Sequence, residues 1–401
     1  MDKKLEKDEL LDILLNKGVA DILPNKGFLE KELSTGRKLS IYAGFDPTGP
    51  TLHIGHTISL RKLRHFQDLG HQIIFLVGDF TARIGDPTDK TSARKQLTEK
   101  EIKVNLKQYK KQASKFIRFT GKNAAQIKFN NDWLGKMKFA DVLALASNMT
   151  VDQMLKRDMF ARRIEEEKPI YIHEFMYPLM QGYDSVAMNV DGEVGGNDQL
   201  FNMLAGRTLL KQLKNKEKFV ITMKLLEDNN GAKMGKTTGN MISLVDTPED
   251  MYGKIMSWTD GLIIPGFDLC TDYTPTQVTF IQDELDAGIN PRDIKMRLAF
   301  EIVASCTDQK SAQRAEESYV SLFQKKEIHE NIPEIKGGNK TLEAILIDEK
   351  IVSSKGELRR LIESKAVTNF ETKAVVTIED TKKEAQLIVY KIGKNRIIRI
   401  V

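Results

Sequence analysis

The chain has 401 residues, too many for one compact core, so two or three domains are expected. Hydrophobic residues make up 41% and charged residues 29%, and no apolar run approaches the roughly 20 residues needed to cross a bilayer, which argues against a helical membrane protein. A net charge of +5 allows a polyanionic partner without requiring one, and two cysteines, Cys270 and Cys306, cannot build a disulfide framework.

The N-terminal stretch, MDKKLEKDELLDILLNKG, is charged and amphipathic and lacks a signal-peptide core, so a cytoplasmic chain is expected. Residues 39–46 read as a short buried strand. The turn Pro47-Thr48-Gly49-Pro50 follows, then an amphipathic helix from about Leu52 to Leu69. Residues 72–78 give a second apolar strand ending in a Gly/Asp-rich loop. Residues 95–165 read as helical and heavily charged. A further strand–helix unit spans 185–204, another strand covers 219–226, and from about Thr247 the pattern turns helical. Residues 333–340 look like a linker, and 341–401 form a small α/β unit. Apolar strands alternating with helices predict a parallel sheet, with ligands at the carboxyl ends of its strands.

Two of the six histidines fall in His53-Ile54-Gly55-His56, at the start of the predicted helix. A helix N-terminus offers unpaired N–H groups and the positive end of the dipole, which suits a phosphate. Histidines there can donate to phosphoryl oxygens, and Gly55 admits a close approach of a flat ring. The second element is Lys233-Met234-Gly235-Lys236-Thr237-Thr238-Gly239. Two lysines three apart in a glycine-bearing loop make a cationic clamp for a triphosphate, although the segment lacks P-loop spacing. Either element alone is also compatible with an ordinary helix start or a basic surface turn.

Together they resemble the paired signatures of the class I aminoacyl-tRNA synthetases, H-I-G-H and K-M-S-K-S, with Gly235 in place of the serine. Tyr42 to Thr48, Gly85-Asp86-Pro87, Tyr177 to Asp184, Gly195 to Gln199 and Asn290 to Asp293 are similar to landmarks of the bacterial tyrosyl branch. The resemblance implies a Rossmann-like α/β catalytic domain with a parallel sheet over 1–246, carrying a helical insertion at about 95–165. It implies an α-helical anticodon-recognition domain over 247–332, a linker at 333–340 and an S4-like α+β RNA-binding domain over 341–401. The activity implied is ATP-dependent activation of tyrosine and its transfer to tRNA by a homodimer, with Mg²⁺ arriving on ATP and no protein metal site.

The same resemblance assigns roles position by position. Tyr42 and Asp184 would hold the substrate phenol, and Thr81, Asp86, Tyr177 and Gln181 its ammonium group. Gly44, Asp46, Gly55, Gly196, Asp198, Gln199 and Lys236 would meet ATP. Thr48, His53, His56, Lys90, Arg94, Lys233, Lys236 and Thr237 would stabilise the phosphates during reaction. In the tail, Lys355, Arg359 and Arg360 would meet tRNA phosphates. Asp89, where the family has glycine, and Lys365 and Asn369-Phe370, where it has a glycine and an Asn-Gly turn, depart from the pattern. The rival readings are a tryptophanyl-tRNA synthetase, a small-molecule nucleotidyltransferase and a non-aminoacylating RNA-binding paralogue.

Overall fold

The computed structural model describes residues 7–87, 97–227, 241–321, 334–335, 337, 340–349, 351–352, 354–370, 372, 374–383, 388–393 and 396–401. The chain forms two compact units, one of residues 1–245 with 261–289, the other of 246–260 with 290–401.

The first unit is built on a six-stranded sheet in the order β1-β6-β5-β2-β3-β4. Its strands are β1 (Val19–Leu23), β2 (Ser40–Phe45), β3 (Gln72–Val77), β4 (Gln126–Phe129), β5 (Gly192–Gly196) and β6 (Phe219–Met223). β2 to β6 pair in parallel, as the alternation of strands and helices predicts, while β1 closes one edge antiparallel to β6. The order reverses beside β2: the chain first moves outward through β3 and β4, then returns to lay β5 and β6 on the other side. A crevice opens at such a switch point because the two crossovers leave in opposite directions.

β2, β3 and β6 are apolar runs buried on both faces, the mark of a covered parallel sheet. β4 departs from the sequence reading, which has 95–165 as helical throughout. Its four residues, QIKF, are half-buried or exposed at the sheet edge and give no apolar run to recognise. The helices before it support the site: the Tyr109 hydroxyl donates to the Gly49 carbonyl at 2.9 Å and Asn105 to the Pro47 carbonyl at 2.8 Å, holding the turn after β2.

Residues 261–289 read from sequence as part of the second domain, but they group with the first unit. The reason is packing on the helix Ile54–Asp68. The helix Ile263–Cys270 lies against it, Arg61 pairs with Asp272, and Lys17 donates to the Phe267 carbonyl at 3.2 Å. Lys62 of the same long helix is buried and donates to the carbonyls of Ile13, Leu14 and Lys17, each at 2.9 Å, so it caps the end of the first helix.

In the second unit the helices Pro248–Met256, Pro291–Cys306 and Gln309–Tyr319 pack together. The tail carries a four-stranded sheet, β7-β10-β9-β8, of Glu334–Ile335, Arg396–Ile400, Val389–Ile392 and Val367–Asn369. The supposed linker therefore contributes a strand, since Val401 N–H donates to the Ile335 carbonyl at 2.9 Å. The tail has its own core, including Leu342, Leu346, Leu358, Val367, Tyr390 and Ile398.

Candidate active site

A cavity of about 760 Å³ opens at the carboxyl ends of β2, β3 and β5. One helix, Ile172–Met188, supplies much of its wall. Tyr177, Gln181 and Asp184 lie four and then three residues apart, the spacing that brings side chains onto one helical face. The helix begins with a capping box in which Glu174 accepts from the Tyr171 N–H at 2.8 Å, and it ends at Asn189 in the left-handed region.

At the closed end sits Asp184, 2% exposed. Trp133 Nε1 donates to one carboxylate oxygen at 2.7 Å and Asn130 Nδ2 to the other at 3.3 Å. Burial pushes this carboxyl well above the usual range, and the two donors oppose that shift. Tyr42, fully buried on β2, lines the same end with its hydroxyl 3.0 Å from Ser185 Oγ. Asn130 and Trp133 sit just beyond β4, so the unrecognised strand is what brings them to Asp184. The Asn130 amide is fully used: its oxygen accepts from the Phe80 N–H, and its nitrogen also donates to Thr81 Oγ1 at 3.0 Å.

Midway along, Asp46 accepts from Thr81 Oγ1 at 2.7 Å and from the Tyr177 hydroxyl at 2.9 Å. Sequence reading places Asp46 with the nucleotide and Thr81 and Tyr177 with the ammonium group; the geometry joins all three. The approach is so close that a Cβ on Gly78 would lie 1.9 Å from Asp46 Oδ1. Burial, then the Asp46 and Asp86 carboxylates, push the Tyr177 hydroxyl well above its ordinary pKa, so it is a hydrogen-bond donor here. Asp86 accepts from Gln199 Nε2 at 2.6 Å, and Gln181 Nε2 donates to Glu193 at 3.2 Å.

The open end holds the histidine motif. His53 caps the helix Ile54–Asp68, and its N–H donates to His56 Nδ1 at 3.0 Å. With Nδ1 accepting, a neutral His56 carries its proton on Nε2. Gly44, Thr48, Gly55, Gly196 and Asp198 line this part of the cavity. A Cβ on Gly55 would stand 3.1 Å from the His53 ring, so the glycine keeps that ring seated. The segment after the lysine motif is stitched to the histidine motif: Ile54 N–H donates to the Ile242 carbonyl and Leu244 N–H to the Leu52 carbonyl, both at 3.0 Å. An antiparallel bridge joins His53 and Ser243. Lys90, Arg94, Lys233, Lys236 and Thr237 lie outside the described residues.

In the tail, Lys355 pairs with Glu343 at 2.7 Å and Arg359 with Glu363 at 2.9 Å, both cations being largely exposed. Surface pairs of this kind are worth about 0–1 kcal/mol, so the glutamates hold these cations only weakly. Arg360 lies on the same helix, Lys355–Glu363. Sequence reading misses Asn130, Trp133, Ser185, Glu193 and Lys218. The usable signals are a glutamate inside the glycine-rich run of β5 and a lysine directly before the apolar β6, both unusual for a covered strand.

Curated proteins and solved structures resemble this chain along most of its length. The tyrosine–tRNA ligase of Carboxydothermus hydrogenoformans is 41% identical over 402 residues, covering 97% of each chain. That of Thermotoga maritima is 41% identical over 390 residues, covering 96% of each. Among solved structures, a C-terminally truncated mitochondrial tyrosyl-tRNA synthetase of Aspergillus nidulans superposes with a TM-score of 0.65 at 24% identity, over 78% of this chain and 94% of that one, a likeness of fold. Residues 34–324, which run from just ahead of β2 through the helix Gln309–Tyr319, match the family described as tRNA synthetases class I (W and Y), and the chain belongs to that family.

Proposed function

We propose that this protein is a bacterial-type tyrosine–tRNA ligase, which activates L-tyrosine with ATP to tyrosyl-adenylate and pyrophosphate and then loads the amino acid onto the 3′-terminal ribose of its tRNA. The observation that carries the amino acid's identity is the buried Asp184, held by Trp133 and Asn130 at the closed end of the cavity. A phenol O–H would give that carboxylate a further donor, whereas phenylalanine would displace water from it and supply none. This family is the standing example of such discrimination without editing.

The first step needs no protein nucleophile, because the substrate carboxylate attacks the α-phosphorus and the enzyme stabilises charge growing on the phosphates. Thr81, Asp46, Tyr177, Asp86 and Gln181 receive the ammonium group. Thr48, His53, His56 and the helix N-terminus behind them meet the phosphates, with Gly44, Gly55, Gly196, Asp198 and Gln199 around the nucleoside. Lys90, Arg94, Lys233, Lys236 and Thr237 complete the phosphate contacts, and Mg²⁺ enters as part of the ATP substrate. Lys355, Arg359 and Arg360 contact the tRNA backbone.

The large apolar side chains Phe139, Leu143, Val151, Ile164 and Ile172 are exposed on the first unit, which supports a homodimer; light scattering at working concentration reads this directly. No helix of the described residues is long and apolar enough to cross a membrane, and the setting proposed is the cytoplasm. Tyrosine-dependent ATP–pyrophosphate exchange, run beside tryptophan and phenylalanine, tests the activation step and the choice of amino acid, and aminoacylation of tRNA tests the transfer. Exchange with tryptophan instead of tyrosine, or with neither, would overturn the reading.

A further inference from the structure

Beneath the phenol end lies a buried polar cluster that the activation chemistry above does not use. Lys218 stands directly before β6 with no exposed side-chain surface and is ion-paired with Glu193 of β5, itself 2% exposed. Its ammonium group also donates to Ser185 Oγ at 2.8 Å. The Tyr42 hydroxyl is 3.0 Å from Ser185 Oγ, and the nearby Glu193 carboxylate helps to hold its pKa up. Gln181 Nε2 donates to the same glutamate at 3.2 Å.

The direction of the Lys218 bonds follows from the donors available. A lysine ammonium has protons and no acceptor, so at Ser185 it must occupy a lone pair of the hydroxyl. The serine keeps its proton and a second lone pair, so it can meet the Tyr42 hydroxyl as donor or as acceptor. Lys218 donates to Glu193 as well, so the ammonium group links the serine beside Tyr42 to the glutamate that receives Gln181. Stability does not explain such a cluster. Replacing a buried ion pair by apolar residues of similar size is often neutral or favourable, because desolvation offsets the attraction. A cluster that ends on two side chains of the amino-acid pocket has a use in preorganisation.

We propose that Lys218 and Glu193 are positioning residues for amino-acid selection, which hold the Tyr42 hydroxyl through Ser185, and the Gln181 amide directly, in their receiving orientations before the amino acid binds. This rests on the reading of the cavity as the tyrosine pocket. Neither residue is required to touch the substrate, so their effect belongs in the affinity and selectivity for tyrosine and is absent from the ATP step.

The test uses full-length Lys218→Met, Glu193→Gln and the double variant, with thermal melting as a folding control. The double variant keeps side-chain size while removing both charges, so it remains informative if a single variant, left with one buried charge, fails to fold. Each folded single variant should raise the tyrosine KM in pyrophosphate exchange by about 5- to 10-fold and lower the tyrosine-over-phenylalanine preference comparably, the effect of misplacing one or two hydrogen bonds. The ATP KM should stay within about twofold, and the double variant should lose less than the product of the singles, as expected of groups acting as one unit. Folded variants with unchanged tyrosine KM and preference would overturn the proposal, as would tyrosine and ATP KM rising together. Asp184→Asn, assayed in parallel, separates the two levels. If it keeps the tyrosine preference, the pocket reading itself fails; if it loses the preference while the pair variants keep it, only the positioning role falls.

Discussion

Asp184 depends on donors from a different part of the chain than its own helix, and this makes the pocket testable one atom at a time. Trp133→Phe keeps most of the indole volume but removes the Nε1–H that meets the carboxylate at 2.7 Å. A buried carboxylate left one donor short loses about 1–3 kcal/mol, so the tyrosine KM should rise by about tenfold or more with the ATP KM unchanged. Equal rises in both constants would show that the tryptophan merely supports the wall. At this scale the sequence is legible where residues sit in ordered motifs: Tyr177, Gln181 and Asp184 share one helical face, and His53 and His56 one helix start. Asn130 and Trp133 are not legible, because a half-buried edge strand carries no signal that the residues beyond it reach a pocket. Glu193 and Lys218 leave only weak signals, one charge within a glycine-rich strand and one at the start of an apolar strand, and the fold is what shows both to be buried.

Two elements carry their own predictions. Lys365 ends the helix Lys355–Glu363 at φ +56°, with its N–H donating to the Ile362 carbonyl and that of Ala366 to the Leu361 carbonyl, each at 2.8 Å. This is the left-handed position at a helix end where glycine is favoured, and a side chain there costs roughly 1–2 kcal/mol. Lys365→Gly should therefore raise the tail's unfolding free energy by about 1 kcal/mol, read from denaturant melts; a lower value would mean that the lysine side chain contributes more than its backbone strain. In the helix Ile54–Asp68, burial, with Lys62, Lys17 and Arg61 adding to it, pushes His65 down to about 3 from 6.5. The unfolded chain takes up this proton near pH 6.5 and the folded chain only near 3, so stability falls as pH drops through that window. The contribution approaches about 1.4 kcal/mol per pH unit. The melting temperature of His65→Gln should decline less steeply than that of the wild type between pH 6.5 and 4, and parallel curves would exclude His65 as the cause. The apolar strands and long helices around these positions are readable as runs and periodicities. β4 and β7 are not: four and two residues at sheet edges are defined by their neighbours' hydrogen bonds rather than by their own composition.

For the molecule as a whole, the tail's separate core makes a clean cut possible, and the strand Glu334–Ile335 places the cut earlier than the apparent linker. A chain ending before Glu334 should retain tyrosine-dependent exchange within about twofold while losing most aminoacylation, and its tRNA binding should shed roughly 0.7–0.9 log units of salt slope per phosphate contact removed. Equal loss of both activities would mean that the tail supports the catalytic unit. The strand order also sets a schedule for synthesis. Tyr42 pairs with Glu193 across the switch point, and β1 must wait for β6, so nearly all of the first unit separates the partners on which the pocket depends. Contacts this remote form late, since the long intervening loop must close before any of them is rewarded. A ribosome that has emitted β2, β3 and β4 has made a half-sheet whose β2 edge is apolar and unpaired, a template for association until β5 arrives. Release of chains stopped before Gly192 should give aggregates that bind no tyrosine, whereas chains released after Ile289, where the first unit is complete, should be recovered folded; for this enzyme the most vulnerable interval in the cell is the time taken to translate from β4 to β6.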